Sequence, residues 1–302
     1  MNHHAPTDET IGHWTVARPQ IVDVPKTGFV PRQYRAVSAE LAIAPSVSVI
    51  IPAMNESLNL PHVLPTLPYW IDEVVLVDGR STDETVAVAK RVRPGIKIVA
   101  QQGSGKGDAL LAGFAACRGD IIVTMDADGS TDGGEIIRFV GALLAGADFA
   151  KGSRFANGGG SSDITAARRY GNHVLSALVN RLFGTRYTDL CYGYNAFWAK
   201  HLDALRLDCP GFEVETMMNV RAAAAGLRIQ EVPSFEYPRL HGASNLRIVA
   251  DGWRIAKVIL REWSRARAAR RSGAMVGSKV ATSRDDLSAS TAAAGLTRQM
   301  PT

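Results

Sequence analysis

Two carboxylates spaced i, i+2, Asp126 and Asp128, end the run Ile121-Ile122-Val123-Thr124-Met125-Asp126-Ala127-Asp128. A pair at this spacing leaves one side of an extended chain together and attracts a hard cation. Such a cation would take its remaining ligands from water and from the phosphates of a substrate. The alternative is that both acids only cap the turn that follows. Two more acids stand in comparable places, Glu56 just past an apolar run over 47–52 and Asp78 at the end of another over 73–78. Acids at the ends of several apolar runs make one site only if those runs are strands of one sheet whose ends share an edge.

The chain supplies such strands. Val47-Ser48-Val49-Ile50-Ile51-Pro52 is the pattern of a strand covered on both faces, and Pro52 ends it. Ala53 to Glu56 turns into a helix carrying Leu58, Leu60, Val63 and Leu64. The run 73–78 is a second buried strand, after which the capping box Ser81-Thr82-Asp83-Glu84 launches a helix through Val92 that Pro94-Gly95 stops. A third strand covers 97–100. Gly103-Ser104-Gly105-Lys106-Gly107 then leads into a helix with Leu110, Leu111 and Phe114 on one face, closed by Gly119. The Asp126 strand follows, and Asp132-Gly133-Gly134-Glu135 starts the next helix by capping. This alternation predicts an α/β fold with right-handed crossovers and a mostly parallel sheet flanked by helices. In the order 3-2-1-4, Glu56, Asp78, Asp126 and Asp128 all lie at one rim, a convergence that capping alone does not require.

Downstream, a strand over 148–151 ends in Gly152-Ser153-Arg154-Phe155, followed by a small-residue loop over 157–162. The stretch 163–183 reads as a long amphipathic helix with Ile164, Ala167, Val174, Leu175, Leu178 and Leu182 on its apolar face and Gly184 closing it. An aromatic, turn-rich segment spans 189–197; a helix over 213–226, a strand over 227–236 and a basic loop over 237–244 come next. Leu246, Val249, Trp253, Ala256, Leu260 and Trp263 then follow the 3,4 spacing of an apolar stripe, with Arg247, Arg254 and Arg261 on another face. A helix of this kind, spanning 246–271, lies on an anionic membrane surface or packs on its own domain. Beyond Ser272 the Ala/Ser/Thr/Gly-rich tail has too little large apolar content to fold. The expected organisation is an N-terminal extension over 1–45, one domain over 46–263 with halves 46–155 and 156–263, and a basic tail over 264–302.

Composition narrows the classes. With 302 residues and 46% hydrophobic content the chain can bury an enzyme-sized core. Cys117, Cys191 and Cys209 are odd in number and lack CxxC spacing, which supports neither a disulfide framework nor a zinc site. Residues 1–15 are polar, unlike a signal peptide, and no apolar stretch approaches the ~20 residues that span a bilayer. The expectation is a cytoplasmic protein whose membrane contact, if any, is peripheral. The net charge of +5 resides beyond position 260, where Arg and Lys outnumber Asp and Glu. No aromatic interleaving accompanies it, so a nucleic-acid partner is not expected.

Two phosphate- and calcium-loop look-alikes fail. GSGKGD lacks the earlier Gly and the Ser or Thr after Lys106 that a Walker loop needs, and DADGSTDGGE has Thr131 and Ile137 where a calcium loop needs Gly and Glu. The ordered set VSVIIPAMNE, VLVDGRSTDET, GSGKGDALLAGF, TMDADGS, GSRF and TDLCYGYNAF instead resembles the inverting family 2 glycosyltransferases. Its downstream half is most similar to the dolichol-phosphate and polyprenyl-phosphate hexosyltransferase branch. The resemblance covers 47–263 and implies a GT-A-like fold, with a nucleotide-sugar half followed by an acceptor half. It further implies that Pro52 and Glu56 line the nucleotide pocket, Asp78 reads the base, and Asp126 and Asp128 hold a donor diphosphate through Mg2+ or Mn2+. Lys106 would assist near the nucleotide; Arg239 and Ser244 would meet donor phosphates; Arg154 and Arg168 would bind the phosphate of a polyprenyl acceptor. Arginine suits that task through its planar fork. Ser130 stands where this branch often has Gln, and Asn245 where Lys is common. An ionised phosphate acceptor needs little help from a base, whereas a sugar or metabolite hydroxyl needs one, for which Glu213, Glu215 and Asp189 are candidates. A nucleotide-sugar-binding module without turnover is the third reading.

Overall fold

The structure, a computed structural model, describes residues 44–242 and 248–271. The expected extension up to residue 43, Ser244 and the tail past 271 lie outside the described residues. The runs read as strands form β1 (Val47–Ala53), β2 (Glu73–Asp78), β3 (Lys97–Ala100), β4 (Ile121–Thr124), β5 (Phe149–Ser153), β7 (Asn195–Trp198) and β8 (Ile229–Pro233), and these seven make one sheet in the order β3-β2-β1-β4-β7-β5-β8. The expected 3-2-1-4 arrangement is its first half. β1 pairs in parallel with both β2 and β4, with Ala53 opposite Asp78 and Ile50 opposite Thr124, so the acid-bearing strand ends do share a rim. β7 departs from the parallel pattern: it runs antiparallel between β4 and β5, which brings its N-terminal end, and the turn before it, to the same rim. A separate pair joins β6 (Gly160–Ser161) to β9 (Phe235–Glu236).

Period-2 alternation divides the core between the two faces. Val49, Ile51, Leu76, Val123 and Ala150 pack beneath α1 (Leu60–Val63), α2 (Thr85–Val92) and α4 (Ile136–Leu144). Ile50, Val75, Val77, Ile122 and Phe149 pack beneath α3 (Lys106–Ala116) and α7 (Val214–Ala224). The long helix α5 (Ala166–Phe183) and the C-terminal α8 (Ile248–Arg271) close over α7, while α6 (Leu202–Leu205) is a single short turn. α8 runs through the expected domain end at 263, and one sheet spans both expected halves.

Several local expectations change. Pro61 and Pro65 restrict the first helix to four residues and a 3-10 turn, and Leu58 is left exposed. The capping box at 81–84 does not form. Asp83 instead accepts from the Ser57 and Thr85 backbone N–H groups, and the Ser81 hydroxyl accepts from Asn55 N, so these side chains tie two loops together. α3 ends at Ala116, and Gly119 donates to Ser48 rather than capping it. Asp132 does cap as expected, accepting from Gly134 N, and Gly184 closes α5 at φ 72°. Val174 is exposed because α5 turns Asn172, Ser176 and Val179 inward. The stripe read on the last helix is not the buried face: Trp253 and Leu260 face out and Ala256 and Trp263 are half-buried, while Asp251, Ile255, Val258, Ile259 and Glu262 face in. Both acids of the described helix go inward, where Glu262 receives Arg221 at 3.0 Å.

Candidate active site

Of the acids gathered at the rim, Asp126, Asp128 and Glu56 are met by protein cations. Asp126 and Asp128 lie just past β4 but do not share one partner. Lys106, the first residue of α3, places Nζ 2.5 Å from Asp126 Oδ1 and also pairs with Glu215 in the first turn of α7. Arg239, on the loop after β9, reaches Asp128 Oδ2 and Glu56 Oε1, each at 3.0 Å. That loop is seated on the aspartate turn by Tyr237 N to Ser130 O at 2.9 Å and Leu240 N to Asp128 O at 3.1 Å, and Leu240 covers Gly129. Ser130, which stands where the resembled branch often has Gln, turns its hydroxyl to Asp128 Oδ1 at 2.6 Å.

Burial tunes these groups. It pushes the Glu56 carboxyl above its ordinary pKa despite hydrogen bonds from Asn59 and Arg239. Burial also raises Glu215, outweighing the attraction of Lys106. For Lys106 the balance is opposite: burial disfavours the ammonium, but Asp126 and Glu215 more than reverse this and hold its proton tightly. Lys106 is therefore a largely buried counter-ion to the aspartate at the rim. Asp78 closes β2 and accepts from Ser81 N at 3.2 Å, and Pro52, half-buried in β1, stands opposite Val77 beside it. Glu213 precedes α7 next to Gly211.

Arg154 and Asp189 depart from the roles the resemblance assigned. Arg154 has a side chain only 3% exposed, with Nε 2.7 Å from Asp189 Oδ2, Nη2 3.0 Å from Asp189 Oδ1, and Nη1 3.0 Å from both oxygens of Glu236. Burial would raise the Asp189 carboxyl, yet Arg154 holds it below the ordinary value. The pair is closed on itself, and the structure brings neither group to the rim as a free cation or base. Arg168 is nearer to solvent, 3.0 Å from Asp163 and 4.0 Å from Glu236, so the two arginines do converge on one carboxylate. Glu236 was missed, although an acid ending a strand was the signal that found Asp78. Lys151, fully buried in β5, was also missed; a lysine inside the run Phe149-Ala150-Lys151 was the available sign.

The glycosyl transferase family 2 model matches residues 48–206. The chain belongs to this family. It is 30% identical over 213 residues to glycosyltransferase AglJ of Haloferax volcanii, covering 68% of each chain. It is 33% identical to the polyprenol monophosphomannose synthase of Mycolicibacterium smegmatis over 66% of this chain and 80% of that one. Among solved structures, the glucosyl-3-phosphoglycerate synthase of Mycobacterium tuberculosis, in complex with Mn2+, uridine diphosphate and glucosyl-3-phosphoglycerate, superposes at TM-score 0.58 with 24% identity, covering 79% of this chain and 87% of that chain. The fold is thus GT-A-like, and this family 2 member is a glycosyltransferase.

Proposed function

We propose that this glycosyltransferase moves a hexose from a nucleotide sugar of the GDP-mannose or UDP-glucose type to a polyprenyl phosphate. One observation carries the reading. Three of the four rim acids, Asp126, Asp128 and Glu56, are countered by Lys106 and Arg239, two cations that a donor diphosphate can recruit when it arrives with its own divalent ion. Asp126 and Asp128 fit Mg2+ or Mn2+: their side chains are 31% and 15% exposed, and among the described residues no third His, Cys, Asp or Glu completes a protein cage. Such a donor set leaves room for diphosphate oxygens and water. When bound, the ion would offset charge growing on the leaving diphosphate. Lys106 and Arg239 place positive charge on the same developing oxygens. Pro52, Glu56 and Asp78 line the nucleotide side. An acceptor phosphate oxygen forms the new bond to the anomeric carbon as the bond to the diphosphate breaks, and the electron pair departs with it.

Arg168, a quarter exposed, favours a phosphate acceptor, as does the likeness to a polyprenol monophosphomannose synthase. Among the described residues no helix is long and apolar enough to cross a membrane. Membrane contact would fall to the outward face of α8, where Lys257 and Arg267 lie over Trp253 and Trp263 at 5.6 and 5.2 Å beside exposed Leu260. The self-contained Arg154–Asp189–Glu236 cluster supports a second reading, transfer to a hydroxyl with Glu215 or Glu213 as base. The test is a panel of UDP- and GDP-sugars with Mn2+ or Mg2+, with and without a short polyprenyl phosphate. Product only with the lipid supports the first reading; metal-dependent donor binding without lipid product rejects it.

A further inference from the structure

On the sheet face covered by α3 and α7, three neighbouring strands carry a polar residue at one level. Thr124 of β4 pairs with Asn195 of β7, and Asn195 with Lys151 of β5. Alternation points all three toward the same side as Ile122, Phe197 and Phe149, so they form a polar row in an apolar layer, one step below the rim. Thr124 is 3% exposed, and Asn195 and Lys151 are fully buried. The row holds the turn before β7. Lys151 Nζ donates to Tyr192 O at 2.8 Å and Gly152 O at 2.7 Å, Thr124 Oγ1 donates to Gly193 O at 3.0 Å, and Gly152 N donates to Tyr194 O at 2.8 Å. Three consecutive carbonyls are thereby fixed. Gly193 at their centre touches the site: a Cβ there would overlap Glu215 Oε1 and come within 2.9 Å of Lys106 Nζ.

A buried ammonium is costly, and among the described residues no carboxylate lies within ion-pair distance of Lys151. Burial accordingly lowers its proton affinity, against the more distant pull of Asp189 and Glu215. Beside it, neither Oδ1 nor Nδ2 of Asn195 finds a partner among the described residues. Unpaired buried amides in native proteins are commonly met by an enclosed water.

We propose that Lys151 is a positioning residue for glycosyl transfer. With Thr124 it fixes the 192–194 turn, and that turn is the floor against which Glu215 and Lys106 are held at Asp126; Asn195 supplies polar surroundings, through a buried water, for the ammonium. This rests on the rim being the transfer site.

The test compares Lys151→Met, Thr124→Val and the double variant in the full chain, with UDP-glucose and GDP-mannose as donors, Mn2+, and either undecaprenyl phosphate or 3-phosphoglycerate as acceptor. Lys151→Met removes a buried charge at similar volume but leaves the Tyr192 and Gly152 carbonyls without its donors, two opposing effects, so its melting temperature should stay within about 10 °C of the wild type. Its kcat should nonetheless fall at least about tenfold with donor KM within about threefold, the split expected when geometry rather than binding is lost. Thr124→Val should lower kcat in the same manner, and the double variant should fall by less than the product of the two, because both act through one turn. Wild-type kcat in Lys151→Met, or strictly multiplicative losses, would overturn the proposal. Should Lys151→Met fail to fold, an unchanged kcat in Thr124→Val would do so. A wild type that transfers to neither acceptor would refute the reading of the site itself, a result distinct from active variants in an active background.

Discussion

Replacing Arg154 by Met separates two roles that its position permits. The guanidinium is the counter-ion of Asp189, which is fully buried, and of Glu236, which is 7% exposed. Removing it strands both carboxylates away from water, and breaking a buried pair of this kind costs about 3–5 kcal/mol. Against a total of roughly 5–15 kcal/mol this is a severe loss. At roughly 2–4 °C per kcal/mol for a domain of this size, the melting temperature should drop by about 6–20 °C. The sign with pH is also set. In the wild type the Asp189 carboxyl is held below its ordinary value, so its contribution is present above the unfolded pKa of about 3.9 and fades as pH falls through the folded one. In the variant burial, opposed only by the pull of Lys151 and the residue-154 backbone N–H, raises the carboxyl, so the deficit should shrink on going from pH 7 to pH 5 as the stranded groups take up protons. Urea unfolding at both pH values, alongside transfer kinetics, is the assay. A variant within about 1 kcal/mol of wild type at pH 7 that has nevertheless lost transfer would refute this reasoning. Arg154 would then be a direct ligand of the acceptor.

Other outcomes follow from the same geometry. Lys106→Met should lower kcat/KM by about 10²-fold or more, as loss of one charge-stabilising donor does, measured by steady-state transfer. Gly193→Ala should cut kcat while barely moving the melting temperature, since the intruding methyl meets the ends of two side chains whose placement matters for chemistry. Arg239→Ala should tighten Mn2+ binding to the donor-free protein by up to about fivefold, because a partly exposed competing cation is worth at most about 1 kcal/mol, and a Mn2+ titration followed by electron paramagnetic resonance would register it. Changing Leu260 to Glu should weaken binding to vesicles of anionic phospholipid, read by sedimentation, without altering transfer to a water-soluble acceptor.

Much of the site was legible in the sequence because strand identity, alternation and strand-end acids are local properties. The apolar runs gave β1, β2 and β4, and in the order 3-2-1-4 supposed for them, which the sheet adopts, Glu56, Asp78, Asp126 and Asp128 lie on one rim. Asp132 and Gly184 ended their elements as their types require, since a cap depends only on neighbours in the chain. What only the tertiary structure decided was which cation meets which carboxylate. Lys106 and Glu215 are 109 positions apart and Arg239 and Glu56 183, and no local signal specifies such pairs. The same holds for Arg154, whose identity suits a phosphate but whose surroundings are two buried acids, one from the turn before β7 and one from β9, and for α8, whose inward face is Ile255, Val258 and Ile259 together with Glu262 paired to Arg221. Periodicity states which residues share a face; the partners brought up by the rest of the chain determine which face is buried, because an unpaired charge costs more than an exposed leucine.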